Sequence, residues 1–146
     1  MKTKTLFLSL MLFTTTLSFS QSIANKDLIG EWYGPNSTTL YLNSNGTGEM
    51  EMSTLECTMK IVSWSATATT LNITWNMTPI QCVNPSTGEA YTHTPKIEFD
   101  KPQYTITTTN ASSSGIATKT FSMTLNNKEY NSVATYIKVE VEETEE

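Results

Sequence analysis

The sequence contains no arginine, one histidine and two cysteines, and these scarcities exclude several classes of function. All nine basic residues are lysine, so the bidentate guanidinium groups that often hold phosphates and carboxylates are absent. The formal net charge of −5 disfavours binding to nucleic acid or to an anionic membrane surface. Neither a glycine-rich phosphate-binding motif nor a G-x-S-x-G motif occurs.

The side chains that usually carry catalysis are also missing or scattered. His93, the sole histidine, precedes a Thr-Pro dipeptide, and we interpret it as a residue at a strand start or edge rather than a general base. Glu49 and Glu51 alternate with methionines, which is typical of the solvated outer face of a sheet. We therefore predict that the protein is not an enzyme and uses no cofactor. Two thiols and one imidazole are too few for a structural zinc site, so no metal is expected.

The first twenty residues have the layout of a secretory signal peptide. Lys2 and Lys4 precede the apolar run LFLSLMLF, and small residues end this segment at Ser20, before Gln21. The run is too short to cross a membrane as a helix. We predict a signal peptide over 1–20, cleavage near Ser20/Gln21, secretion or export to the periplasm, and no transmembrane anchor.

The remaining 146 − 20 = 126 residues are enough for one domain with its own hydrophobic core. The chain ends in EVEETEE, an acidic run typical of a solvated tail. We place the domain at 21–141 and the acidic tail at 142–146. Without Lys2 and Lys4 the net charge becomes 7 − 14 = −7.

Alternation of apolar and polar residues is the dominant pattern along the chain, and it predicts β-strands. In LNITWNM, for example, Leu71, Ile73 and Trp75 share one face. Short turn signals such as Asn45-Gly46 separate these runs. We expect an all-β fold: an antiparallel up-and-down meander of about eight to nine strands closed into a small barrel, after a short helical turn near 22–28. A β-sandwich is the alternative.

Cys57 and Cys82 are expected to form a disulfide in an oxidising compartment. Two alternating runs separate them, joined near Thr69. A hairpin centred there pairs residues whose numbers sum to about 139, as 57 and 82 do. We therefore predict that the disulfide crosses the open end of this hairpin.

The apolar face of the strands is the best candidate for a binding site. Aromatic residues and methionines form an adaptable lining for an apolar ligand, although they also simply fill a small barrel. Both interpretations stay open. The candidate lining residues are Leu40, Leu42, Met50, Met52, Ile73, Trp75, Phe99, Tyr104, Phe121 and Met123.

Short motifs in three parts of the chain resemble lipocalin-like domains of secreted bacterial proteins. LIGEWY followed by TLYLNSNGTGE is similar to the first strands of that family, IVSWSATATTLNITW to a later hairpin, and YTITTT, FSMTL and TYIKV to the closing strands. The resemblance implies that Gly30 and Trp32 lie at the closed end of a barrel, packed against a basic residue of the last strand. That residue is usually arginine in the family, and Lys138 is the candidate here.

Two functions follow as expectations. The first is a secreted or periplasmic, non-enzymatic protein that binds a small hydrophobic ligand inside the barrel. The second is a filled barrel that acts through its surface on a protein partner, as an inhibitor of an exported hydrolase or as an adhesion module.

Overall fold

Ten β-strands dominate the part of the chain that the computed structural model describes, namely residues 26–96, 99–113, 116–129 and 131–142. The strands are β1 (Gly30–Tyr33), β2 (Thr38–Leu42), β3 (Gly48–Met52), β4 (Cys57–Ala66), β5 (Leu71–Trp75), β6 (Ile80–Val83), β7 (Ala90–His93), β8 (Gln103–Ser113), β9 (Ile116–Asn127) and β10 (Ser132–Glu142). Two 3₁₀ turns, Pro35–Ser37 and Ser53–Leu55, follow β1 and β3.

Both ends of the chain lie outside the described residues. The predicted signal peptide, the first part of the predicted helical turn (22–25) and residues 143–146 of the predicted acidic tail belong to these ends. Residues 26–28, the last part of the predicted helical turn, form a turn that leads into β1.

Eight strands form one antiparallel sheet in the order β5-β4-β3-β2-β1-β10-β9-β8. Strands β1 to β5 are a meander, strands β8 to β10 are a second meander, and β1 pairs with β10 to join them. The β6–β7 hairpin forms a separate two-stranded sheet. The predicted all-β, antiparallel class is confirmed.

The two outer strands of the eight-stranded sheet meet at one end. Residues 69–73, around the start of β5, are joined to residues 100–104, around the start of β8, by three backbone hydrogen bonds: Leu71 N to Pro102 O (3.0 Å), Ile73 N to Asp100 O (3.0 Å) and Tyr104 N to Thr69 O (2.9 Å). The sheet is therefore strongly curved. Closure of the barrel along the whole of β5 and β8 stays a prediction.

The concave face of this sheet carries the core. Leu40 of β2, Met50 of β3 and Met59 of β4 lie directly opposite one another across neighbouring strands. Because side chains alternate between the faces of a strand, the same register sends Tyr41, Glu49 and Lys60 to the outer face. Period-two alternation in the sequence thus determines which side chains are buried.

The β2–β3 hairpin turns at the predicted Asn-Gly pair. Gly46 has φ +81°, a left-handed conformation that glycine adopts without strain. Asn45 Oδ1 accepts a hydrogen bond from the Thr47 amide (3.0 Å), and Gly46 O accepts one from the Trp64 amide (2.6 Å). These bonds fix the loop against β4.

The predicted disulfide is confirmed, but its predicted place across one hairpin is wrong. Cys57 begins β4, whereas Cys82 lies in β6 of the small sheet, with 4.9 Å between the Cα atoms. Residue numbers that pair between β4 and β5 sum to 136 or 137 because the register shifts between Ile61 and Ser63. Strand β5 also ends at Trp75, before Pro79, which has no amide to donate to a ladder. The bridge therefore attaches the β6–β7 hairpin to β4.

Strand β10 turns its more apolar side to solvent. Val133, Ile137, Val139 and Val141 are all exposed, whereas Ala134, Tyr136 and Lys138 are buried. Tyr33 of β1 lies directly opposite Ile137 and is also exposed. We call Tyr33, Val133, Ile137, Val139 and Val141 the outer apolar row.

Candidate ligand-binding cleft

The ten predicted lining residues all belong to one apolar core, and four of them line one cleft. Eight are buried, and Met52 and Tyr104 are partly buried against them. Met50, Met52, Trp75 and Phe99 line a cleft of about 460 Å³. The other six residues belong to the same core and are not among the described residues that line this cleft.

The full lining combines an apolar floor with a polar rim. The floor consists of Met50, Met52, Leu55, Met59, Trp75 and Phe99, and the rim consists of Asn36, Thr38, Thr54, His93 and Lys96. Asn36, Thr54 and Lys96 are exposed, so the cleft opens to solvent.

The cleft lies at the end of the sheet where β3 finishes and β4 begins. Met50 faces Met59 across these strands, and Met52 faces Cys57. Trp75 is the last residue of β5. The disulfide at Cys57 brings in the β6–β7 hairpin, whose last residue, His93, reaches the rim.

The two 3₁₀ turns build one side of the rim and hydrogen-bond to each other. The Thr54 hydroxyl of the second turn donates to the Asn36 carbonyl oxygen of the first (3.3 Å). The Thr38 hydroxyl, just after the first turn, donates to the Pro35 carbonyl oxygen (2.7 Å). Asn36 and Ser37 have φ +55° and +56°, a conformation that costs non-glycine residues energy and occurs often at functional sites. Both hydroxyl protons are used within the protein.

Four of the six floor side chains are buried, and the polar atom of one of them is hydrogen-bonded within the protein. Met50, Met59, Trp75 and Phe99 are each less than 8% exposed. The Trp75 indole Nε1 donates to the Phe99 carbonyl oxygen (3.3 Å). This bond ties the end of β5 to the connection that leads into β8 and satisfies the polar atom of the largest floor side chain.

Sequence reasoning missed several rim and floor residues. Met59 could have been found, because it alternates with Cys57 and Ile61 in the same way as the predicted lining does. His93 and Lys96 carried no such signal, since the β6–β7 hairpin that positions them leaves the main sheet. Sequence reasoning put His93 at a strand start or edge; in the structure it ends β7 and is half-buried.

The three residues proposed to close the barrel lie close together around the Lys138 side chain. Lys138 Nζ lies 5.1 Å from the centre of the Trp32 ring and 4.5 Å from that of Phe121. It donates to the carbonyl oxygens of Asp27 (2.8 Å) and Ile29 (3.0 Å). Gly30, with φ +124°, leaves room for the lysine, because a Cβ atom there would lie 3.2 Å from Lys138 Cδ.

Two features are absent from the described residues. No helix there is long and apolar enough to cross a membrane. No three side chains of His, Cys, Asp or Glu in that part of the chain are grouped so that they could hold a metal ion.

Comparison of the chain with protein-family models, with curated proteins and with solved structures found no match.

Proposed function

We propose that this protein is a secreted or periplasmic, lipocalin-like binding protein that carries a small hydrophobic molecule and performs no catalysis. The observation that carries the proposal is the solvent-open cleft of about 460 Å³ with its floor of methionine and aromatic side chains. Lipocalin-like membership rests on the short sequence motifs and on the antiparallel meander.

The size and chemistry of the cleft support this function. Ligand sites in proteins usually occupy about 300–1,000 Å³ and combine an apolar lining with a few polar groups. Three of the six floor residues, Met50, Met52 and Met59, are methionines. Their flexible, polarisable side chains adapt to ligands of different shape. Burying a ligand here removes apolar surface from water on both partners, which favours binding.

Titration with a neutral apolar dye, N-phenyl-naphthylamine, tests the proposal. We expect saturable binding with one dye per chain, seen as enhanced dye fluorescence. Met52→Trp should fill the cleft from its floor and weaken binding by about tenfold or more, since added bulk there displaces the ligand. Val62→Trp adds the same side chain at an exposed position of β4 and should leave the affinity unchanged.

Two results would count against a binding cleft. One is the absence of saturable binding by the wild-type protein. The other is equal loss of affinity in Met52→Trp and Val62→Trp. Melting curves of both variants show whether the fold is retained.

We also propose a second candidate function, interaction with a protein partner through the surface, which the outer apolar row favours. Its five side chains, Tyr33, Val133, Ile137, Val139 and Val141, are each at least 44% exposed and lie on two adjacent strands. Contiguous exposed apolar surface of this kind often marks an interaction site. An inhibitor of an exported hydrolase or an adhesion module would use this row to contact its protein partner.

The charged double variant Ile137→Lys/Val139→Lys tests the second function. If the row mediates contact between copies of the chain, sedimentation should show association of the wild type that the variant lacks. If both proteins stay monomeric up to high concentration, self-association is not the role of the outer apolar row. Dye binding in the cleft should be the same in both proteins.

A further inference from the structure

We propose that the ligand of the cleft is an anionic amphiphile: an alkyl or acyl chain that ends in a carboxylate, held at the rim by Lys96 and His93. This inference rests on the proposed binding of a hydrophobic molecule and adds the chemistry of its polar end.

The charge of the rim is opposite to the charge of the whole chain. The net charge is −5, yet the two titratable side chains that line the cleft, His93 and Lys96, are both basic. No aspartate or glutamate is among the described residues that line it. A positively charged group beside an apolar floor is complementary to a molecule with a negative head and an apolar tail.

Lys96 makes no ion pair with a carboxylate of the described residues, whereas Lys60 and Lys138 do. Among the described residues, the ion pairs are Lys60 with Glu49 and Lys138 with Glu140. The ammonium group of Lys96 therefore has no carboxylate partner in that part of the chain. A carboxylate ligand would supply the missing partner in a charge-assisted hydrogen bond.

The other polar groups of the rim are less suited to the head group. The hydroxyl protons of Thr38 and Thr54 are donated to backbone carbonyl oxygens, and Asn36 is neutral. Donation to the ligand therefore falls mainly to the Lys96 ammonium and a ring N–H of His93. Both residues lie in the segment at the end of the β6–β7 hairpin, so they approach the ligand from one side.

The floor determines the orientation of the amphiphile. Met50, Met59, Trp75 and Phe99 are buried, and the indole N–H of Trp75 is bonded to Phe99. A charged head placed there would lose its hydration without a partner, which is strongly unfavourable. The tail therefore enters the floor, and the head stays at the exposed rim beside Lys96.

Three ligands with the same alkyl chain and different heads test this inference: decanoate, decanol and decylamine. Calorimetric titration at low ionic strength should show decanoate binding about three- to tenfold more tightly than decanol. Decylamine, with the opposite charge, should bind more weakly than both. Added salt should reduce the preference for decanoate, because the rim is exposed to solvent.

Variants at the rim and away from it show which residues cause the preference for decanoate over decanol. Lys96→Gln should make the affinities for decanoate and decanol nearly equal, and Lys96→Arg should retain the difference. His93→Gln should reduce the difference partly. Lys128→Gln makes the same charge change at an exposed residue outside the cleft and should change nothing. Decanoate and decanol are compared on the same variant, so a change in the cleft that affects both ligands equally leaves their affinity ratio unchanged.

These experiments distinguish failure of the proposed anionic head group from failure of the proposed binding cleft. Equal binding of decanoate and decanol by the wild type, tighter binding of decylamine, or an undiminished preference in Lys96→Gln would overturn the anionic head group and leave the apolar cleft intact. Failure of all three ligands to bind would instead overturn the proposed function itself.

Discussion

Lys138 shows how a single cation can organise one end of this fold without arginine. Its ammonium lies between the rings of Trp32 and Phe121 and donates to two carbonyl oxygens of the segment before β1. A third interaction joins it to Glu140 (3.0 Å), whose side chain is half exposed. The lysine stem is buried, which agrees with the tendency of long basic side chains to pack their methylenes on apolar surface.

Replacing this lysine should be costly. Lys138→Met keeps the length of the side chain but leaves the carbonyl oxygens of Asp27 and Ile29 without their donor and removes the cation from both rings. We expect the free energy of unfolding to fall by about 3 kcal/mol, as measured by urea denaturation.

Lys119→Met is the matched control for this prediction. Lys119 Nζ also lies 4.5 Å from the Phe121 ring centre, but the residue is only half-buried. Its loss should cost less than about 1 kcal/mol. Equal effects of the two substitutions would show that Lys138 contributes only a surface cation–π contact.

Tyr41 is the residue with the clearest expected pH signature. Partial burial first, and then the nearby Glu31 and Glu51 carboxylates, raise the pKa of Tyr41 from 10.0 to about 12. Its hydroxyl donates to Glu31 Oε1 (3.2 Å) and lies 3.4 Å from Glu51 Oε2. The neutral phenol is therefore favoured in the folded state. The stability that it contributes is present below pH 10 and is lost as the pH rises toward 12.

Tyrosinate absorbance measured against pH checks this prediction. Subtracting the curve of Tyr41→Phe from that of the wild type should isolate a step near pH 12. Glu31→Gln should move the step to lower pH, whereas Glu89→Gln, in the turn between β6 and β7, should not move it. A difference step near the ordinary pKa of 10.0 would show that Tyr41 is not coupled to Glu31.

At the scale of elements, the disulfide connects two sheets rather than two neighbouring strands. It links the start of β4 to β6, so the short β6–β7 hairpin, which pairs only with itself, is held against the main sheet. An isolated two-stranded hairpin is marginally stable in water. The bridge thus positions His93 and the segment that leads to Lys96 at the rim of the cleft.

Removing the bridge should destabilise the hairpin first. The cysteines are 25 residues apart, and closing a loop of that length stabilises a protein by roughly 3 kcal/mol in the chain-entropy estimate. We expect Cys57→Ser/Cys82→Ser to lower the melting temperature. Amide hydrogen exchange should increase more in β6 and β7 than in β9 and β10.

Reductant provides the control for this experiment. It should lower the melting temperature of the wild type and leave that of the double variant unchanged. An unchanged melting temperature of the wild type on reduction would contradict a stabilising bridge.

Some strand faces and contacts could be predicted from the sequence, and others could not. Alternation in LNITWNM gives Leu71, Ile73 and Trp75 their common buried face, because one register repeats along the whole strand. The sequence did not show that β5 ends at Trp75 or that Cys82 belongs to a separate hairpin; the paired numbers sum to 136 or 137 rather than 139, so extending one register along the whole chain misplaced Cys82. On β10 the four exposed residues of the outer apolar row contradict the simple rule that the apolar face points inward, because Tyr136 and Lys138 occupy the inner side.

At the scale of the whole molecule, one apolar core holds both a packed cluster and an open cleft. Trp32, Lys138 and Phe121 pack together, and the cleft opens between β3, β4, β5 and the β6–β7 hairpin. The sequence predicted ten lining residues by their shared face, and all ten lie in or against one core. Which of them line the cleft depends on the 3₁₀ turns and on the hairpin, whose positions follow from tertiary packing and not from local pattern.

Methionine methyl NMR tests the central claim, that the cleft is the ligand site. Met50, Met52 and Met59 line the cleft, whereas Met123 is buried elsewhere in the core and Met77 is 40% exposed outside the cleft. Titration of protein labelled at its methionine methyl groups with the neutral dye should shift the signals of Met50, Met52 and Met59. The signals of Met77 and Met123 should stay in place. Saturating dye that leaves the three cleft methyl groups unchanged, or that shifts only Met77, would contradict the account.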